Sequence, residues 1–295
     1  MIKKKGLPDR KVLAGTGVFL LLMMVIGSVW DYSISQALYS PENLFGKFLA
    51  AFGEFPMGLV LAAAGAMLVC ARNREKKLTG VLQIVLGAFL ILSAVSTLAQ
   101  ITAIQASISI MITIPVSVVA VGLTVYGIFR LCEGADRDTV IKVAIIFVLF
   151  VFAEMIIVNV IKIPWGRARM RLVATDPRAH FMPWWQPGKE LKNTLVAAGV
   201  ASEEFKSFPS GHTANASSLM LLCLLPMICP KLENKSTLLF FIGFGWTCLV
   251  AVSRIIMGAH YLTDTTIGFA VGFIILIAAV QVLFSQKGKT VQAPK

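Results

Sequence analysis

Charge is what this chain has least of. Only 14% of its 295 residues are Asp, Glu, Lys or Arg, against 57% hydrophobic, and mean hydropathy is +0.80. So little polar material cannot clothe a soluble fold, and the composition reads as a polytopic membrane protein. Acidic residues are scarcer still, 15 against 27 basic, for a net charge of +12. The cations are scattered over short inter-helix segments and form no stripe, which argues against a nucleic-acid partner. Cysteines number five, Cys70, Cys132, Cys223, Cys229 and Cys248, all in or beside apolar runs. An odd count without ligand spacing speaks against both a disulfide scaffold and a metal site. Histidine is rarest, with three copies, so any histidine in a polar cluster calls for a reason.

What is present is a series of oily runs. Eight can be marked, at about 12–30, 56–70, 78–97, 110–130, 138–161, 212–229, 236–257 and 262–284. Lipid does not solvate an open backbone, so each is expected to be a helix, and about 20 residues are needed to cross. The second run is short, and the third and fourth are joined by a charge-free linker near Gln100 to Gln105. The expectation is therefore an all-α polytopic membrane helix bundle of six to eight spans. Lys3, Lys4, Lys5, Arg10 and Lys11 precede the first run in the manner of a signal peptide. That run is too long and lacks a clean cleavage site, which favours an uncleaved first helix.

Positive charge orients the bundle. With the N-terminus in the cytoplasm, Arg72, Arg74, Lys76, Lys77, Arg130, Arg137, Lys142, Lys231, Lys235, Lys287, Lys289 and Lys295 all fall on that side. The positive-inside bias thus places both termini in the cytoplasm and calls for an even number of spans. The chain divides into N-terminal helices (1–137), a core (138–285) with an outer loop (162–211), and a polar cytoplasmic tail (286–295). Trp165, Trp184 and Trp185 suit the headgroup level, so part of the outer loop is expected along the membrane surface.

Three polar clusters fall on the non-cytoplasmic side, where basic residues are disfavoured and need another reason. The first, KIPWGRARMR, runs from Lys162 to Arg171, and Lys162 and Arg169 share a face if the helix continues. The second, FPSGHTANA, places Ser210 as a helix cap, Gly211 where a ligand can approach the backbone, and His212 beside free amides that suit an anion. The third, SRIIMGAHYLTD, has Gly258 ending one helix after Arg254, and His260 four residues before Asp264, so that the carboxylate can orient the imidazole. Each cluster alone fits an interfacial helix end. Together they offer two imidazoles and several cations matched to phosphate oxygens. No paired carboxylates or Cys and His ligand set accompany them, which makes a metal-assisted phosphatase the weaker reading.

The order of these residues, Lys162 to Arg169, Pro209-Ser210-Gly211-His212, then Ser253-Arg254 to His260 and Asp264, resembles the three-part signature of the type 2 phosphatidic acid phosphatase (PAP2) family. The resemblance implies a helical core similar to that of the vanadium haloperoxidases, without a cofactor or metal. It implies that His260 attacks phosphorus to form a phosphohistidine, that Asp264 hydrogen-bonds its ring, and that His212 handles the leaving-group and water protons. Lys162, Arg169, Ser210, Gly211 and Arg254 would hold the phosphoryl oxygens. Family members usually carry proline after the first-part arginine; Met170 stands there, so the helix could run on.

The expected substrate is a lipid phosphomonoester or pyrophosphate, such as phosphatidylglycerophosphate, phosphatidic acid or undecaprenyl pyrophosphate, met at the outer membrane face. Arg178 and Lys206 are candidate headgroup contacts. A phosphotransferase using the same intermediate, and a transporter or binding protein for phospholipids, are the alternatives. Glu154, inside the fifth run, is expected to pair toward the bundle interior. Small residues from Gly80 to Ala94 suit close packing within the chain as well as a homodimer seam.

Overall fold

The computed structural model describes residues 6–285; Lys3 to Lys5 and the polar tail from 286 lie outside them. Among the described residues every regular element is helical. The long helices are α1 (Arg10–Leu38), α3 (Phe55–Cys70), α4 (Lys77–Ala106), α5 (Ile110–Leu131), α6 (Arg137–Trp165), α10 (Ser236–Ile256) and α11 (Leu262–Ser285). Short helices α2 (Leu44–Phe52), α7 (Met170–Thr175), α8 (Lys189–Ala197) and α9 (Gly211–Ser217) lie between them.

Among the described residues seven stretches are long and apolar enough to cross a membrane, with α2 and α3 counted as one. The apolar run at 212–229 is not among them: it forms α9 and the 3-10 turns of Ser218–Met227. Six helices bring one end each to the same polar region.

Several boundaries differ from the sequence expectation. The stretch 31–56 is not a loop: α1 continues to Leu38 with Asp31 and Ser35 buried, and α2 follows, capped by Asn43. The linker near Gln100 is helical, and the turn comes at Ser107, whose φ is 54°. Helix α6 does not run on through Arg169. It ends at Trp165, where Gly166 takes φ 72°, and the chain restarts as α7 after Arg169.

The main hydrophobic core joins α1, α3, α6, the 218–228 segment, α10 and α11, with Phe147, Phe150, Met220, Leu224, Phe240 and Leu276 at its centre. It runs across the sequence division at 137/138, because α1 and α3 pack among the C-terminal helices. Outward faces keep Leu21, Phe89, Ile112, Leu123 and Ile156 exposed, as a lipid-facing surface requires. Helices α4 and α5 pack chiefly on α2, α3 and each other. A Cβ on Gly65 would lie 2.5 Å from the Gly87 carbonyl, so these two glycines let α3 and α4 touch backbone to backbone. Part of the small-residue run from Gly80 to Ala94 is therefore spent inside the chain.

Two close approaches set the polar end. A Cβ on Gly268 of α11 would stand 2.3 Å from the Ser210 carbonyl, and the Ser210 amide donates to the Asp264 carbonyl at 2.9 Å. These contacts seat the start of α9 directly on the start of α11.

Candidate active site

The polar end is assembled from the C-terminal ends of α1, α6 and α10 and the N-terminal ends of α3, α9 and α11. Each brings one or two groups. Ser210 caps α9 as its sequence suggests, accepting the Thr213 amide at 3.3 Å. Gly258 closes α10 with φ 61°, and a Cβ there would meet the Tyr39 ring at 2.6 Å, so glycine is needed both for the turn and for the approach. The turn places His260 immediately after it, with its amide on the Arg254 carbonyl.

All three sequence clusters converge. Lys162, Arg169, Arg254 and His212 are the charged or titratable neighbours that act on His260. Lys162 reaches across from α6 so that its Nζ would lie 3.4 Å from a Cβ on Gly211. The two histidine-bearing segments thus face one another on a single side of the bundle. Arg178 and Lys206 are not drawn in: Arg178 pairs with Asp176 at 2.7 Å and Lys206 pairs with Glu203, both in the outer segment. Arg171 is likewise occupied, by Glu204 through two hydrogen bonds of 2.8 and 2.6 Å.

What distinguishes the centre is unmet donor capacity. Arg169 Nε, Arg254 Nε and Arg254 Nη1 are buried donors to which the protein supplies no acceptor, and His212 Nε2 is buried without any hydrogen-bond partner. Buried polar groups are nearly always hydrogen-bonded, and a buried guanidinium without an acceptor costs several kcal/mol. Four such nitrogens on three residues suit an oxyanion bearing more than one charge.

The orientation of His260 differs from the expected one. Its Nδ1 lies 2.5 Å from the backbone carbonyl of Ser207 and 3.9 Å from Asp264 Oδ2. A carbonyl only accepts, so Nδ1 carries the proton and Nε2 keeps its lone pair. Asp264 acts one step removed: Oδ2 accepts the Ser207 hydroxyl at 2.5 Å and the Tyr261 amide at 2.8 Å. Burial, followed by the charges of Lys162, Arg169, Arg254 and His212, holds the His260 imidazole well below its ordinary 6.5. The ring is therefore neutral near pH 7.

Three residues in this assembly had no place in the sequence reading of the site. Arg167 is fully buried and donates to the Met182 carbonyl at 2.8 Å, to Thr263 Oγ1 at 3.0 Å, to Asp264, and to Asp31 at 2.9 Å. It also lies 4.3 Å above the Tyr261 ring. Asp31 of α1 in turn accepts the Thr263 amide at 2.9 Å and the Thr263 hydroxyl, closing a buried network. Glu54, at the start of α3, is 3.4 Å from His212 Nδ1 and accepts from Asn215 Nδ2 at 2.9 Å. Glu154 is buried in α6, with Glu54 and Lys162 as its charged neighbours, so it does face the bundle interior.

Trp165 and Trp184 are not both interfacial anchors. Trp165 Nε1 donates to the Trp184 carbonyl and Trp184 Nε1 to Ser28, each at 2.9 Å, and both rings pack with Phe208. They fasten the outer loop over the site, whereas Trp185 is exposed.

This convergence has a counterpart among known proteins: residues 143–287, which contain all three clusters, match the PAP2 superfamily. A stretch of 85 residues is 32% identical to phosphatidylglycerophosphatase B of Bacillus subtilis (strain 168), covering 26% of this chain. The match spans 39% of that relative's length, so the likeness concerns part of each protein. No solved structure matches the chain.

Proposed function

We propose that this protein is a membrane lipid phosphate phosphatase that hydrolyses a lipid phosphomonoester or pyrophosphate at the non-cytoplasmic face, through a phosphohistidine and without a metal ion. The observation that carries the reading is the set of buried donors on Arg169 and Arg254, without protein acceptors, beside the unpartnered His212 Nε2 and a neutral His260.

In the first step His260 Nε2 attacks phosphorus. The P–N bond forms as the bond to the lipid oxygen breaks, and that oxygen takes a proton from Nε2 of His212. In the second step His212 Nε2 removes a proton from water, the new P–O bond forms, the P–N bond breaks and phosphate departs. The Ser207 carbonyl keeps the His260 proton on Nδ1, and Asp264, 3.9 Å away, stabilises the ring as it becomes positive. Lys162, Arg169, Arg254, Ser210 and the Gly211 amide face the phosphoryl oxygens, where charge spreads in the transition state; one such donor is worth about 3 kcal/mol.

The outward placement is supported by Arg72, Arg74, Lys76, Arg130, Arg137, Lys231 and Lys235, which occupy the opposite end of the helices. A lipid then keeps its tails in the bilayer while its phosphate enters between the helix ends. The test is phosphate release in detergent from phosphatidylglycerophosphate, phosphatidic acid and undecaprenyl pyrophosphate, with His260→Ala as the blank. Release from at least one lipid, lost in the variant, is expected. Equal release by the variant would refute the nucleophile.

A further inference from the structure

The His260 half of the site has its orienting groups in the C-terminal domain. The His212 half does not: its carboxylate comes from α3, outside the PAP2 superfamily match. Glu54 is the N-cap residue of α3 and is 7% exposed, and its Oε1 stands 3.4 Å from His212 Nδ1. Asn215, one turn beyond His212 on α9, donates to the same Oε1 at 2.9 Å. The opposite nitrogen of the ring, Nε2, is the buried one without an acceptor.

We propose that Glu54 is the positioning residue for His212. Its carboxylate accepts the Nδ1 proton, fixes the tautomer that directs Nε2 at the reacting oxygen, and stabilises the imidazolium that must donate to the leaving group. This deepens the phosphatase reading and rests on it.

The charge balance explains why an acid is needed there. His212 is faced by Lys162 of α6, Arg169 and Arg171 flanking the start of α7, and Arg254 of α10. His260 stands across the site. All these cations oppose protonation of His212, and among the described residues Glu54 is the one carboxylate within 4.0 Å of its ring. Glu54 itself is faced by Arg254 and Lys162, with Glu154 behind it on α6. A carboxylate placed behind an imidazole raises its basicity and holds its orientation, as in hydrolase triads.

The consequence depends on the leaving group. A lipid alkoxide needs the proton; an aryloxide such as p-nitrophenolate leaves without one. In the full-length protein, Glu54→Gln should lower kcat/KM, which reports the leaving-group step and not the water step both substrates share, about a hundredfold on a lipid phosphomonoester and by about threefold or less on p-nitrophenyl phosphate. The alkaline limb of the lipid pH profile should move to lower pH, because His212 loses its proton more readily. Glu54→Asp should recover part of the lipid activity and return the alkaline limb toward the wild-type position.

Independently of turnover, ¹⁵N-histidine NMR of the purified protein, whose sequence has three histidines, should show His212 as the Nδ1–H tautomer in the wild type and a mixture in Glu54→Gln. Equal losses on both substrates with an unmoved pH limb and an unchanged His212 spectrum would overturn the proposal. If the wild type releases phosphate from no lipid while the tautomer still depends on Glu54, the phosphatase reading fails and the positioning contact stands. Should Glu54→Gln not fold, Asn215→Ala, which frees the carboxylate from its clamp, should show the same substrate selectivity in weaker form; equal activity on both substrates in that variant would overturn the proposal as well.

Discussion

Replacing Asp31 by alanine would strip the buried Arg167 guanidinium of one of its two carboxylates. Asp31 is 3% exposed and Arg167 0%, and the same aspartate holds the amide and hydroxyl of Thr263, the residue before Asp264. Breaking one side of a buried ion pair costs about 3–5 kcal/mol, because the remaining charge stays buried without its partner. For a chain of this size about 2–4 °C of melting temperature goes with each kcal/mol, so a drop of about 10 °C is expected. Activity should fall with it, since Arg167 and Thr263 lean on Asp264. The assay is thermal unfolding of the purified protein in detergent, followed by tryptophan fluorescence, beside phosphate release at a temperature where both forms are folded. A melting temperature within about 2 °C of wild type for Asp31→Ala would show that α1 does not brace the site as described.

Other outcomes follow from the same geometry. Activity should persist in excess chelator, because the site supplies its own cations; loss restored only by a divalent metal would contradict this. Arg254→Ala should lower kcat/KM about a hundredfold without raising the melting temperature cost beyond that of a surface change, as its buried Nε and Nη1 meet no protein acceptor; unchanged kinetics would remove it from the phosphate seat. Protonation of His260 gives a pH signature in stability. Its folded value is held below the ordinary 6.5 by burial and by the neighbouring cations. The unfolded chain therefore takes up the proton first, and the stability present above about pH 6.5 is lost as pH falls through the lower folded value. Wild type should lose stability relative to His260→Asn between pH 7 and pH 5. The opposite trend would mean that His260 is charged in the fold. Finally, Gly268→Leu should fail to assemble the site, since its first side-chain atom already meets the Ser210 carbonyl at 2.3 Å; a folded, active variant would contradict the packing of α9 on α11.

Much of the polar end was legible because helix periodicity and positive-inside bias are local signals. They put Lys162, His212, Arg254, His260 and Asp264 at one end of the bundle, and Ser210 and Gly258 behave as their positions suggest. The residues that complete the site were hidden by distance along the chain. Asp31 meets Thr263 across 232 residues, and Glu54 meets Asn215 across 161. Both are acids at the margin of an apolar run, the one available hint, since a carboxylate there is costly unless it has a partner. The Ser207 contact could not be read at all, because it is made by a backbone carbonyl that any residue would carry. The absence of proline at Met170 says only where a helix can continue, while Gly166 decides where α6 stops.

In the proposed mechanism the phosphoryl group passes covalently to one imidazole. Rapid acid-free quenching of the full-length protein with each of the three lipid phosphates, labelled in the scissile phosphate with ³²P, should trap an alkali-stable, acid-labile phosphoramidate. Peptide mapping should place it on His260, and His260→Ala should carry no label. Turnover with no label at any time point, or label on a carboxylate or on His212, would contradict the account.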